Sequence, residues 1–411
     1  MSSSNVSSEL SSPSRIINNL FVSTPKEYAF KLYKFDKCFT KGGCTPKPRS
    51  GHRIVCDEDN LYSYGGYNPK ITVQNMGSDS DWQISRPLFK ELWRLNLVTH
   101  EWEKLKCKNI PNVLASNAVA LSGKILMVFG GTGFPFGVDC NRDLFLCNLS
   151  DRNCLEFTRV ITKGELPTSG YGQAIFVDGQ NFYTVGGTTG FEYSADIHCL
   201  NLKTRTWDQV YICNGKPNEP AARYRHELGF HNARLYVLGG GTAQEVFGFD
   251  EIPCFDLRSR CWDVARTKPD EVHGFPLARR CHSCVQVADH SGQTAIFILG
   301  GYDSELVMAD MWRLELSSLQ WCKLADRLPQ GVYFHSSAVT PQGKIYTFGG
   351  INMYRTSTQR SADVHCVWVK IPKLKEICWE ALQHYCPNLY QHPISLLLDS
   401  GIPQEFLKRL S

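Results

Sequence analysis

The chain has 411 residues, a formal net charge of +4, and 42% apolar and 20% charged residues, an ordinary globular composition with enough apolar matter for a large core. No long run of Lys or Arg occurs, which excludes nucleic acid as the main partner, and no stretch approaches the roughly 18 apolar residues of a membrane helix. The opening MSSSNVSSELSSPSR lacks the apolar run of a secretory signal, so the 17 cysteines are expected to be reduced thiols in a cytoplasmic or nuclear protein.

Residues 1–24 are Ser-rich, the composition of a disordered segment. A strand is predicted over 27–36, EYAFKLYKFD, where Tyr28, Phe30 and Leu32 alternate and Phe35 follows. A pattern then repeats six times: an apolar run closed by Gly-Gly, in LYSYGG ending at Gly66, LMVFGG at Gly131, FYTVGG at Gly187, LYVLGG at Gly240, IFILGG at Gly301 and IYTFGG at Gly350. After each of the first five comes a second run, such as LWRLNLVTHEW (92–102) or IHCLNLKTRTW (197–207). Four of these place a Trp five residues after a Leu: Trp102, Trp207, Trp262 and Trp321. The second repeat has Leu155 and Phe157 there instead.

The physics of this unit is that of a propeller blade. The apolar run is a buried strand and the alternating run is its neighbour. A short polar loop makes a hairpin, the Trp starts an outer strand that packs between blades, and the glycines turn the chain with little bulk. The spacing of roughly 50–65 residues lies near the kelch period of about 50. The fold is therefore read as all-β, a six-bladed kelch β-propeller over 25–371. After Gly350 only one more strand is evident, in DVHCVWVKIP (363–372). The strand at 27–36 is expected to complete that last blade, closing the ring and removing two sheet edges. The stretch 67–88 is a long insertion in the first blade, either a mobile loop or part of a lid.

The loop entering the first strand of a blade and the loop leaving the second share one face of the ring. The entering loops read RSGH (49–52), LASN (114–117), SGYG (169–172), RYRH (223–226), RRCH (279–282) and VYFH (332–335). The outer Arg and the His recur, as residues that pin loops do. The residue two before the His position is expected at the channel mouth: Ser50, Ala115, Gly170, Tyr224, Arg280 and Tyr333. Arg280 between Tyr224 and Tyr333, with Arg225 beside it, makes an aromatic-walled cationic spot that could hold a carboxylate through two parallel bonds. The alternative is that Arg280 pairs with Asp303 or Glu305 of its own blade. Cys281-x-x-Cys284 has no second cysteine pair at zinc-finger spacing and reads as strand, so no metal or other cofactor is expected.

The pattern changes after Pro372. KLKEICWEALQHYC reads as a helix with Leu374, Cys378 and Leu382 on one face, followed by short helices over 394–400 and from Pro403. About 40 residues of this kind make a poor independent core. They either pack on the propeller or fill a partner's groove. Leu374, Cys378 and Leu382 resemble the elongin-binding box of ubiquitin-ligase receptors, although Lys373 replaces the small residue or Pro usual before the Leu. Ile402, Pro403, Phe406 and Leu410 resemble the cullin-2 box. Together with GGTGFPFG, YGQA, RYRHE, ARRCHSCVQ and VYFH, this tail is similar over 44–411 to the kelch domain-containing protein 10 family.

That resemblance implies a non-catalytic, interchangeable receptor of a ligase built on cullin-2, elongin B and elongin C, with 372–411 as its docking region. It implies a propeller that reads C-terminal degrons ending in Gly or Ala, here through Arg280, Arg225, Tyr224, Tyr333 and Ser50. It also implies a link to oxidative-stress kinase signalling through inhibition of a protein phosphatase. The alternative is a signalling or cytoskeletal scaffold with no ligase role. A metal enzyme of the copper-oxidase kind would need two His and two Tyr converging on one central site, whereas the His residues here recur in register round the ring.

Overall fold

Six sheets, antiparallel except for a short fifth strand in the third, carry the six repeats in a computed structural model that describes residues 26–410 apart from 42, 72–84, 152–154 and 355–356. The Ser-rich 1–24 and most of the 67–88 insertion lie outside the described residues. Blade five shows the unit plainly: Ser283–Ala288, Thr294–Leu299, Met311–Glu315 and Gln320–Lys323, each paired with the next. All six residues of Thr294–Leu299 are buried, because that strand has a neighbouring blade on each face. An unbroken apolar run in the sequence is the signature of that double burial.

In blades one, three and four the hairpin to the outer strand is set by one side chain. Asn96, Asn201 and Asp256 each accept bonds from the backbone N–H groups two and three residues on, at 2.9–3.1 Å. This is the local bonding that makes Asn and Asp turn formers. The Trp that follows is buried against the preceding blade: Trp102 on Phe348, Trp207 on Phe129, Trp262 on Tyr211 and Trp321 on Phe249. In blade two Phe157 takes this place and lies 5.6 Å from Tyr64 of blade one. The first glycine of each pair is in the left-handed region. A Cβ at Gly65 would stand 2.4 Å from the Leu114 carbonyl oxygen, so the adjacent blade leaves no room for a side chain.

The sixth blade comprises Ser336–Val339, Lys344–Phe348, Val364–Trp368 and, from the other end of the chain, Asp36–Cys38. Cys38 faces Val364 and Asp36 faces Cys366 across this antiparallel pair. The closing strand is thus three residues long, and it begins where the expected strand 27–36 ends. Residues 26–35 run irregularly beneath the blade: Tyr28 bonds to Glu380 and to Tyr385, Phe30 packs on Trp368, and Tyr33 lies near Phe297. Their alternation reflects docking on two supports, with one parallel bridge from Leu32 to Trp368 in place of a continuous strand, and the kink at Tyr33, with φ of 55°, separates the two parts.

The tail forms helices α1 (Leu374–Tyr385), α2 (Ile394–Asp399) and α3 (Gln404–Leu407). Trp379, Cys386, Leu389, Leu397, Phe406 and Leu407 make its small core, with Val98 of blade one packed against it. Arg409 fastens the tail to the ring. Its guanidinium bonds to Glu376 of α1 at 2.7 and 3.0 Å and to Glu58 of blade one at 3.0 Å, and Asp59 lies 3.4 Å away. On the other side, Glu380 meets Lys344 at 2.7 Å and Trp368 at 3.0 Å. The cleft of about 550 Å³ at this joint is lined by Tyr28, Lys344, Glu380 and Arg409 among others. Tyr28 and Lys344 bond to Glu380, and Arg409 to Glu376 and Glu58, so the cleft is a seam between tail and propeller.

Candidate functional site

The six entering loops meet at the axis in a closed ring of backbone hydrogen bonds. Gly51 donates to Phe334, Phe334 to Cys281, Cys281 to Arg225, Arg225 to Gly172, Gly172 to Ser116 and Ser116 to Gly51, at 2.8–3.3 Å. All six residues have φ between 53° and 67°, a backbone form that non-glycine residues seldom adopt. The ring also settles the register of blade three. Tyr171, rather than the expected Gly170, stands where Ser50, Ala115, Tyr224 and Arg280 stand, each bridged to the loop that leaves strand two. The expected reading was one residue early, because Gln173 occupies the His position in that blade.

The outer Arg of each motif holds its own loop. Arg49 donates to the carbonyl of Gly65 and to Glu91, Arg223 to the carbonyl of Gly239, and Arg279 to the carbonyl of Gly300 and to Asp310. Glu91 and Asp310 satisfy two of these cations, and the Arg223 guanidinium lies over the Phe247 ring at 3.8 Å. The four histidines are buried, and His52 sits 3.1 Å from the Phe348 carbonyl oxygen of the preceding blade. These are the scaffolding of the mouth.

The inner residues differ. Arg225, only 4% exposed, extends across the channel. It donates to the Ser116 hydroxyl and lies 4.7 Å over the Phe334 ring. Its Nε has no partner, and burial pushes its pKa down. Arg280 is half-buried and donates to the Thr242 carbonyl and, at 3.1 Å, to the Ser304 hydroxyl. The alternative partners are otherwise disposed: Asp303 caps its own turn, accepting from the N–H groups of Glu305 and Leu306 at 2.9 and 2.7 Å. Among the described residues no carboxylate lies within ion-pair distance of Arg225 or Arg280. Tyr224 lies close enough to both arginines that their charges lower its pKa, although burial still carries it up to about 12.

Tyr333 stacks on Tyr302 at 4.9 Å and is nearer to another cation, Arg360. Sequence reasoning missed Arg360. It ends the hairpin Ile351–Tyr354/Ser357–Arg360 in the loop leaving strand two of blade six, bonds to the Ser50 hydroxyl at 2.9 Å and lies 5.0 Å over the Tyr67 ring. Ser50 is therefore the support of Arg360. The expected group of five separates into two neighbouring sets, Tyr224 with Arg225 and Arg280, and Tyr333 with Tyr302, Arg360 and Ser50. Arg360 has no carboxylate within ion-pair distance among the described residues, and no fixed spacing in the sequence marked it.

On the tail, the expected elongin-binding residues divide. Leu374 is 74% exposed and Cys378 is exposed, whereas Leu382 turns into the tail core. Of the expected cullin-binding residues, Pro403 is exposed and Ile402 and Leu410 are half-buried. Phe406 is 5% exposed and stacks on Trp379 at 4.9 Å. It is a core residue of the tail, at a position expected from the sequence to contact cullin-2. Its helical spacing marked an apolar face without saying which neighbour the face meets.

Comparison with known proteins agrees with this architecture. The KLHDC2/KLHL20/DRC7 Kelch-repeats domain matches residues 14–240 and the Attractin/LZTR1 beta-propeller matches residues 182–395. The chain is 39% identical over 371 residues to Kelch domain-containing protein 10 of Xenopus tropicalis, covering 90% of this chain and 87% of that protein. It is 39% identical over 374 residues to the Homo sapiens protein, covering 90% and 81%. With the Drosophila melanogaster homolog the identity is 36% over 432 residues, covering 97% and 70%. Six kelch blades and this similarity over nearly the whole chain place the protein in the kelch domain-containing protein 10 family, whose propeller serves protein interaction.

Proposed function

We propose that this chain is the substrate-recognition subunit of a ubiquitin ligase built on cullin-2, elongin B and elongin C, acting in the cytoplasm or nucleus. Its propeller would bind the free C-terminus of a substrate whose last residue is small, Gly or Ala, and partner proteins would transfer the ubiquitin. The observation that carries the reading is a set of three arginines, Arg225, Arg280 and Arg360, gathered at the mouth of the ring with no carboxylate within ion-pair distance among the described residues. Guanidinium groups that meet only neutral acceptors beside aromatic rings leave their charge uncompensated, which an anion would complete. A terminal carboxylate is an anion that can take a planar fork. The tail supports the second half of the reading. One side of α1 is anchored by Glu376 and Glu380, while Leu374 and Cys378 remain exposed for a partner's groove.

The test is fluorescence polarisation of the full chain with peptides ending in Gly or Ala. Arg280→Ala should weaken binding by about 2–5 kcal/mol, the range for removing one member of a hydrogen-bonded charge pair. Arg280→Lys should recover little, because an ammonium lacks the planar fork. Amidating the peptide should cost about as much, and adding it to Arg280→Ala should cost little more. Peptides that bind equally well free and amidated would refute C-terminal recognition.

A further inference from the structure

The face that carries the arginines is divided. Its more accessible arginines, Arg280 and Arg360, belong to loops of blades five and six, while Arg225 of blade four is buried at the axis. The loops of blades two and three present apolar side chains to solvent: Phe134 is 51% exposed, Phe136 45%, Val138 73% and Phe191 85%. These two loops are held together backbone to backbone. A Cβ on Gly190 would stand 2.7 Å from the Gly137 Cα, and Gly137 has φ of 84° and Gly190 of 103°. Interlocking at glycines lets the two loops form one ridge. Exposed apolar side chains clustered on a propeller face cost solubility unless something covers them.

The ridge is continuous with the cationic mouth through one side chain. The Tyr67 ring stacks on Phe134 at 5.7 Å, meets Phe136 edge-on at 4.9 Å, and carries the Arg360 guanidinium at 5.0 Å. An anion on Arg360 and an apolar group on Phe136 would therefore lie within about 10–12 Å of each other, which an extended peptide spans in roughly three residues.

Building on the C-terminal recognition proposed above, we propose that the ridge of Phe134, Phe136, Val138 and Phe191 is a second specificity subsite. It takes an aromatic or bulky apolar side chain two to four residues before the last residue of the same bound segment. The mouth neutralises the terminal charge, which every protein chain has, and the ridge selects among chains. Charge complementarity at one end and apolar burial at the other give the bound segment a fixed direction across the face, from blades two and three towards blade six.

The probe is a set of labelled decapeptides of Ser and Ala ending in Gly with a free carboxylate, each carrying one Phe moved stepwise from the penultimate position to the fifth before the last. With the full chain, Phe should raise affinity by about tenfold within the stated window and by little outside it. The double variant Phe134→Ser/Phe136→Ser should bind the Phe-free peptide as the wild type does and lose the gain. Phe191→Ser, on the other loop, should lose part of it. These side chains are exposed, and an unchanged melting temperature verifies the fold of each variant. A flat Phe scan, or a gain that survives the double variant, overturns the subsite while leaving terminal recognition intact. Peptides that bind equally when amidated, or no binding by any free-carboxylate peptide, overturn both.

Discussion

An imidazole enclosed at the mouth of the ring can be protonated only by carrying its charge into a medium without water. His226 and His335 accordingly have their pKa driven down to about 3 by burial, with Arg223 beside the first and Arg53 near the second adding repulsion. The unfolded chain protonates the same groups near 6.5. Below that pH it binds more protons than the folded chain, so this stability is complete above about pH 6.5 and is lost as pH falls towards 3. The loss is about 1.4 kcal/mol per unit and per histidine. The urea midpoint should thus drop between pH 7 and pH 5, and His335→Gln should make that drop shallower. A midpoint that holds or rises on acidification would contradict the assignment. The repeated Arg and His were legible in the sequence because repetition is what a scaffold leaves behind. The burial of Arg225 was not, since it depends on Ser116 and Phe334 reaching the axis from other blades. Tyr67 and Tyr302 directly follow the repeated Gly-Gly, so their place was legible but not their role, whereas Arg360 lies in a loop whose length no other repeat shares.

The tail helices show how far an apolar spacing carries. Leu374, Cys378 and Leu382 follow one another at four-residue intervals, yet each interval overshoots a full turn by about 40°, so the row drifts about 80° from the first residue to the last. That drift is enough for Leu382 to reach the core while the first two stay exposed. Leu374→Asp with Cys378→Asp should therefore abolish elongin C capture and leave the melting temperature unchanged. Phe406→Ala should act differently. It removes a stacked core ring, a change worth roughly 3–5 kcal/mol, which so small a core cannot absorb. Hydrogen exchange should then rise across 374–410, and elongin and cullin should be lost together. Retention of elongin by Phe406→Ala would show that the helices fold separately. The position of each helix was readable from Pro372, Gly401 and Pro403, whereas the partner of each face was set by Trp379 and by blade one.

At the scale of the molecule, stability rests on closure. Deleting 26–38 should leave Val364–Trp368 as an open edge and remove the contacts of Tyr28 with Glu380 and of Tyr33 with Phe297. That protein should aggregate or melt far below the full chain, whereas deleting 1–20 should change neither property. A monomeric, equally stable 39–411 chain would rule out the closure. The six-fold architecture was legible from Gly-Gly and Trp, and the need for a closing strand followed from counting strands. Its three-residue length was not, because Tyr28, Phe30 and Leu32 alternate for reasons of docking. The same pairing bears on biosynthesis. Asp36–Cys38 leaves the ribosome early, and its partner Val364–Cys366 is made about 330 residues later, roughly 20–70 s at ~5–20 residues per second. Throughout that interval the nascent ring is open, so a chain cut short by a premature stop before residue 364 never acquires the partner strand. Such products keep their exposed edges for life and become substrates for chaperones and proteases, which makes the last blade a checkpoint on the completeness of translation.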